Sequence, residues 1–211
     1  MIKKFLVKIP GLKEFYNFIK ESIIYSLQIK KWKILKKKKL IKLDLGSDKK
    51  GVNDFVTIDY LGGDIAHNLI KPLPLDTNTV NEIYTSHTLE HFNFNNIILI
   101  LKECKRILKT GGKLKVCVPN SRLYIESYLN KKNFEERKSW YEPGLTNTGS
   151  HIDQVNYIAY LNGHHHYLFD KENLVNIIKK SGFEQVMLRE FEKDLDLKER
   201  HFESIYAIAI K

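Results

Sequence analysis

Leu40 to Tyr60, reading LIKLDLGSDKKGVNDFVTIDY, constrains the fold more than any other stretch of the chain. An apolar run, Leu40 to Leu45 with Lys42 and Asp44 set into it, breaks at Gly46-Ser47 into a polar turn. A second run, Phe55-Val56-Thr57-Ile58, ends on Asp59. Short Leu-rich and β-branched runs bounded by Gly, Ser and Asp predict two buried strands on either side of a turn. In an open α/β sheet, ligands sit in the crevice outside the carboxyl ends of the strands. Gly46 allows a ligand close to the backbone, and an acid closing the next strand suits ribose hydroxyls. The pattern points to a nucleoside-bearing cofactor.

The next segments extend that sheet. Residues 62–69 (GGDIAHNL) predict a short third strand ending at Asn68-Leu69, and Lys71-Pro72-Leu73-Pro74-Leu75 predicts a loop, because two prolines exclude a helix or a central strand. Asn81–Ser86 reads as a fourth strand. From 95 to 109, Ile97, Ile98, Leu101, Cys104, Ile107 and Leu108 recur at helical spacing, and Thr110-Gly111-Gly112 reads as the stop and turn. Lys113 to Asn120 is the next strand, alternating Lys with apolar residues at its start. Strand–helix–strand alternation indicates a parallel sheet with crossover helices. Residues 121–165 are aromatic and rich in Asn and Gly, which predicts an irregular lid or binding segment on the substrate side. Asp170 is an N-cap for a helix to Ser181, stopped by Gly182. Two closely spaced terminal strands, Phe183–Phe191 and Glu203–Ile210, predict an antiparallel pair.

The first 39 residues differ from the rest. Leu12, Phe15, Tyr16, Ile19, Ile23 and Leu27 fall at helical spacing after a break at Pro10-Gly11, and Lys30 to Lys42 holds eight lysines and no acid. This basic helical extension to the 40–211 domain has two readings. It rests on an anionic membrane surface, or it packs its apolar stripe on the sheet with lysines in solvent. The lysines account for much of the formal charge of +10; charge alone does not choose among nucleic acid, lipid and acidic substrates. Cys104 and Cys117 have no partner at metal spacing and predict buried thiols. The absence of a disulfide framework and of a cleavable leader suits a cytoplasmic protein, with peripheral membrane contact through residues 12–39 under the first reading.

In this order the segments resemble the class I S-adenosylmethionine-dependent methyltransferases, nearest to the small bacterial type 11 methyltransferase domains, over about residues 40–210. LDLGS at 43–47 is similar to the glycine-rich first motif, TIDY at 57–60 to the acidic end of the second strand, and SHTLEHF at 86–92 to the segment after the fourth. LKECKRILKTGGKLKVCVPN at 101–120 and LFDKENLVNIIKKSGFEQV at 168–186 complete the set. The resemblance implies a Rossmann-like α/β fold: a mostly parallel sheet with an antiparallel C-terminal strand pair and helices on both faces. It also implies S-adenosyl-L-methionine as cofactor and a small-molecule acceptor. Asp44 and Gly46 would border its methionine end, Asp59 would hold the ribose hydroxyls, Asn68 would accept from the adenine amino group, and Ser86 and His87 would lie near the sulfonium and methyl; Ser47, Tyr60 and Leu69 complete the expected cofactor-binding set. Asp48 departs from the motif, which has a second glycine there; aspartate tolerates a left-handed backbone, and Lys49 or Lys50 would offset its charge.

The histidines are the candidates for proton transfer, since imidazole titrates near neutrality. His87, His91 and His166 are expected on the substrate side, with His151 beside Asp153 as an outlying candidate. No metal site is expected: His-Thr-Leu-Glu-His lacks the His-Glu-x-x-His order of zinc proteases, and consecutive histidines at 164–166 point to opposite faces of an extended chain. Alignment supplies most of the catalysis in methyl transfer. The expected acceptor is a hydroxyl of a cell-surface saccharide or its lipid-linked precursor. An RNA acceptor is the alternative, though no RNA-binding module is recognisable and nucleic acid is disfavoured. A module that has lost the cofactor through Asp48 is the other alternative. The G-x-G-x-x-G spacing of nicotinamide sites is missing.

Overall fold

The computed structural model describes residues 12–47, 51–131 and 148–211. Asp48, Lys49, Lys50, the Pro10-Gly11 break, and Trp140, Tyr141, Pro143 and Gly144 of the expected lid lie outside them. Among the described residues seven strands form one sheet in the order β3-β2-β1-β4-β5-β7-β6: β1 (Lys42–Leu45), β2 (Val56–Asp59), β3 (Ile65–Ala66), β4 (Val80–Ser86), β5 (Leu108–Pro119), β6 (Gln185–Leu188) and β7 (Ser204–Ile210). The first five pair in parallel, with Asp44 opposite Thr57 on one side and Tyr84 on the other. β7 runs antiparallel to both β5 and β6. The Rossmann-like expectation holds, including the antiparallel terminal pair.

Period-two alternation sorts the two faces of this sheet. Leu43, Ile83, Val116, Val118, Ile205 and Ala207 point into the main core. There they meet α2 (Phe94–Ile107), through Ile97, Leu101 and Ile107, and α5 (Lys171–Lys180), through Leu174, Ile177 and Ile178. Both helices start on a side-chain cap: Asn93 accepts from the Asn96 amide and Asp170 from the Asn173 amide, each satisfying an N–H that has no partner inside its helix.

On the other face Tyr84, Cys117 and Tyr206 form a smaller cluster, covered by Val52, Phe55, Phe191 and Leu195. The lysines alternating with apolar residues in the sequence lie here. Lys115 bridges Glu82 at 3.1 Å and Glu192 at 2.7 Å, and Arg189 grips the buried Asp196, which also accepts from the Tyr84 hydroxyl. Among the described residues, the connection from β1 to β2 contains no helix; its second half, from Gly51, folds back over this face instead.

Several expectations are corrected. Residues 121–165 are not irregular throughout: α3 (Ser121–Leu129) and α4 (Ile152–Tyr160) pack together with the Tyr124 and Tyr157 rings stacked at 6.0 Å. Buried Tyr124 is bonded to the Glu203 carboxylate, and such tertiary packing overrides weak propensity. The third strand is only Ile65–Ala66. The Thr110-Gly111-Gly112 turn falls within β5, because Gly111 donates to the Lys211 carbonyl and Lys211 to that of Gly112. Cys104 and Cys117 are buried free thiols, as expected.

The N-terminal helix α1 (Leu12–Lys36) divides along its length. Near its C-terminal end Trp32 and Leu35 are buried in the main core. The Trp32 ring meets His67 edge-on at 5.5 Å, and Lys31 donates to the Asp64 carbonyl at 2.6 Å. Earlier turns present Phe15, Phe18, Ile23 and Leu27 to solvent. No described helix is long and apolar enough to cross a membrane. Trp32→Ala is expected to cost about 3–5 kcal/mol, the range for emptying a large aromatic from a core, measured as a shift in the urea midpoint.

Candidate active site

Three carboxyl-terminal strand ends, those of β1, β2 and β4, surround a cleft of about 330 Å3 lined by Gly46, Asp59, Tyr60, Asn68, Leu69, His87, Thr88, His91 and Phe92. Its size falls in the range of small-molecule sites, about 300–1,000 Å3. Gly46 forms the floor. Its φ is 81°, and a Cβ there would lie 2.2 Å from Thr88 Cγ2, so no side chain fits. The Gly46 amide donates to the Ile58 carbonyl at 2.8 Å, and the Thr88 hydroxyl reaches the carbonyls of Leu45 and Ser86. The turn after β1 is thereby clamped to the segment leaving β4.

Asp44 lies beneath this turn at 2 % exposure. Its carboxylate accepts from the Val52 amide at 3.2 Å. Burial pushes its pKa up to about 6, against the opposing hydrogen bonds from Val52 and the Ser47 hydroxyl. Gly51 makes this possible: a Cβ there would meet Thr57 Cγ2 at 2.1 Å and Asp44 Oδ2 at 2.9 Å. Gly51 is the second glycine of the turn in steric terms, and sequence reading missed it because it stands five residues from Gly46, outside the motif spacing.

Asp59 is held by its own turn, Oδ1 accepting from the amides of Leu61 and Gly62 at 3.1 and 3.3 Å. Among the described residues no donor reaches Oδ2. Asn68 Oδ1 accepts from the Ile70 amide at 3.2 Å and has a second lone pair for an amino group. Of the eight residues expected at the cofactor, Gly46, Asp59, Tyr60, Asn68 and Leu69 line the cleft. Asp44 and Ser47 support it from below, and Ser86 sits behind Thr88, accepting through its carbonyl. Thr88 and Phe92 were not anticipated; they lie within the 86–92 segment but carry no charge to draw notice. A second hollow, between α1 and the 66–74 segment, shares Tyr60 and Asn68 with the first.

The expected proton-transfer residues separate. His87 has φ 48° and lines the cleft, with Nε2 at 2.8 Å from the Ser204 hydroxyl. Ser204 gives its own proton to the Arg200 carbonyl, so His87 Nε2 donates and Nδ1 keeps the lone pair. Burial, and then the Arg200 charge, hold His87 well below its ordinary pKa. His91 also lines the cleft, and its Nδ1 donates to the His164 carbonyl at 2.9 Å. His166 is exposed and is not among the lining residues; its amide donates to the Glu90 carbonyl. Asp153, the partner expected for His151, instead collects the Thr148 and Ser150 amides as a turn-closing acceptor. Glu90 is fully buried, and burial pushes its carboxyl up to about 8.

Residues 38–116 match the family model described as "Methyltransferase domain". That match spans β1 to most of β5, the strands whose ends surround the cleft. The fold agrees with that of an S-adenosylmethionine-dependent methyltransferase from Archaeoglobus fulgidus, at 15% identity over 93% of this chain and 100% of that one, TM-score 0.50. Two further matches are a possible histamine N-methyltransferase from Thermotoga maritima (16% identity, 81% and 82% covered, TM-score 0.47) and geranyl diphosphate C-methyltransferase from Streptomyces coelicolor (10%, 87% and 77%, 0.45). No curated protein matches the chain.

The cleft fits S-adenosylmethionine on its own chemistry. A glycine floor admits close approach, the Asp59 carboxylate has an oxygen left for hydroxyl donors, and Asn68 offers an acceptor. Asp59→Ala is expected to weaken the cofactor by about 1–3 kcal/mol, read by titration calorimetry. Asp44 predicts two opposite pH trends. Its folded pKa lies above the unfolded one, so its contribution to stability is full below about pH 4 and is lost as pH rises through about 6. The loss is at most about 3 kcal/mol. Affinity for the cationic methionine end runs the other way, falling as pH drops through about 6. Asp44→Asn should flatten both curves, in thermal melts and in calorimetry.

Proposed function

We propose that this methyltransferase transfers a methyl group to a hydroxyl of a small acceptor, a saccharide or its lipid-linked precursor, with His87 taking the hydroxyl proton. The observation that carries the reading is the neutral, lone-pair-bearing His87 on the wall of the cofactor cleft. When bound, S-adenosylmethionine supplies an already activated methyl, so the protein's work is alignment, exclusion of water and removal of one proton. Asp59 and Asn68 would orient the nucleoside, and Gly46 with Thr88 would set the depth at which it rests. An oxygen acceptor needs the base; His87 Nδ1 is that base, with Ser204 fixing its tautomer.

Two surfaces support a saccharide on a lipid carrier. Tyr128 and Tyr160 stand exposed on the α3–α4 pair, the part of the expected lid that is described, and flat aromatic faces suit sugar rings. Exposed Phe15, Phe18, Ile23 and Leu27 precede the lysine cluster on α1, an arrangement suited to an anionic membrane face. The lysines also favour a second reading, methylation of RNA, which predicts a steep loss of binding with salt.

The test is methyl transfer from labelled cofactor to lipid-linked saccharide and to RNA pools. Label in an acid-stable saccharide ether is the expected result; label in RNA supports the second reading. Cofactor binding without transfer to either overturns both acceptors, and no binding at millimolar cofactor means an inert module. His87→Asn should lower turnover by roughly 10²-fold or more while leaving cofactor affinity in place.

A further inference from the structure

The turn of Leu89–His91 and the chain at 164–167 are laced together by their backbones. The amides of His166 and Tyr167 both donate to the Glu90 carbonyl, at 2.8 and 3.2 Å. This brings the side chains of Glu90, His91 and His165 to one point, their donor atoms all within 4.8 Å of one another. The two imidazoles are oriented alike. His91 Nδ1 lies 2.9 Å from the His164 carbonyl and His165 Nδ1 lies 2.7 Å from the Ile158 carbonyl. A carbonyl only accepts, so both Nδ1 atoms carry the proton and both Nε2 atoms present a lone pair. Fixing one ring nitrogen on a carbonyl so that the other can bind is the usual support of a metal-ligating histidine.

The third group is an acceptor too. Glu90 Oε1 lies 4.0 Å from His91 Nε2, and Oε2 is buried with no hydrogen-bond partner among the described residues. Two imidazole lone pairs and a carboxylate therefore face one another with no donor between them. One proton on Glu90 satisfies only one of these contacts; the exposed His91 is open to donors from solvent, but the second Glu90 oxygen stays unmatched, at a cost that buried polar groups seldom bear. A cation ligated by all three removes the conflict.

We propose that Glu90, His91 and His165 form a binding site for a divalent transition-metal ion of the zinc type. Two imidazoles and a carboxylate are ligands that zinc accepts, at about 2.0–2.2 Å. Tetrahedral ligands at that length stand about 3.3 Å apart, so an ion would draw together donors that now lie up to 4.8 Å from one another. Three protein donors leave a fourth position for water or another oxygen. The ion would pin the chain after α4 to the segment after β4. The site does not depend on which acceptor the cleft takes, nor on whether the cofactor binds.

The test uses tag-free full-length protein, stripped with chelator and dialysed against Zn2+ or Co2+ alone. Elemental analysis should show one equivalent of Zn2+ retained. Co2+ should give the intense visible absorption of a four- or five-coordinate site, and either ion should raise the thermal midpoint. Glu90→Gln, His91→Ala and His165→Ala should each lower affinity at least tenfold, while His164→Ala, an exposed neighbour, leaves it unchanged. Glu90→Gln preserves shape, so its loss of metal with an unaltered circular dichroism spectrum separates ligation from folding. No stoichiometric uptake by the wild-type protein at micromolar ion, or uptake that survives all three substitutions, overturns the proposal.

Discussion

Thr88 packs against a glycine that has no room for a Cβ, and the site depends on that contact. The contact joins the end of β1 to the segment leaving β4, which are adjacent strands in the sheet but 43 residues apart in sequence for the Leu45–Thr88 hydrogen bond. Thr85 adds a second hydroxyl to the same Leu45 carbonyl at 3.0 Å. A carbonyl with two hydroxyl donors at a strand end is fully satisfied, so the chain has nothing to gain by fraying there. The left-handed Gly46 then turns the chain away from the sheet axis and leaves the cleft. Everything that lines it, from Asp59 on one side to His87 on the other, is placed relative to this clamp.

The turn after Gly46 also explains the second face of the sheet. A parallel connection normally spends a dozen or more residues, most often on a helix. Residues 46–55 are too few for a full crossover helix, and Gly51, Val52 and Phe55 fold over the sheet in its place. That places a buried carboxylate, Asp44, directly under the turn, where it accepts from the Val52 backbone amide. The same short connection leaves the rest of this face to charged pairs. Lys42, Glu82, Lys115 and Glu192 run across it, and the Arg189–Asp196 pair closes its far side with Tyr84. Sequence shows these lysines as an alternation; the sheet shows that their partners come from a neighbouring strand and from a loop 77 residues away.

The succession of strands, the parallel-to-antiparallel switch and the cleft-facing ends of β1 and β2 were legible because they are carried by local signals: apolar runs, Gly46, Asp59, and Asp170 as a cap. Gly51 was not, because its role is set by contact with Thr57 and Asp44 rather than by motif spacing. α3 and α4 were hidden by their aromatic, polar composition; their stability comes from Tyr124 and Tyr157 packing on each other and from Glu203, which arrives from the far end of the chain. His165 was masked for a similar reason. Alternation along an extended segment correctly implies that three consecutive histidines do not converge, yet it leaves unsaid which one turns inward and what meets it.

The burial of Glu90 among three imidazoles bears on how the acceptor side works. His87 stands 3.7 Å from Glu90 Oε1 through Nδ1, the nitrogen that holds its lone pair. A proton arriving at that nitrogen would therefore lie beside a carboxylate oxygen, and a charged Glu90 would stabilise the imidazolium formed. A charged Glu90 in turn needs compensation in so dry a place, since an isolated buried carboxylate takes up a proton instead. A cation on His91 and His165 would keep Glu90 ionised, while its own excess positive charge would lower the basicity of His87. The metal cluster and the base would then be one electrostatic unit, with Glu90 as the shared element between the cleft wall and the chain that follows α4.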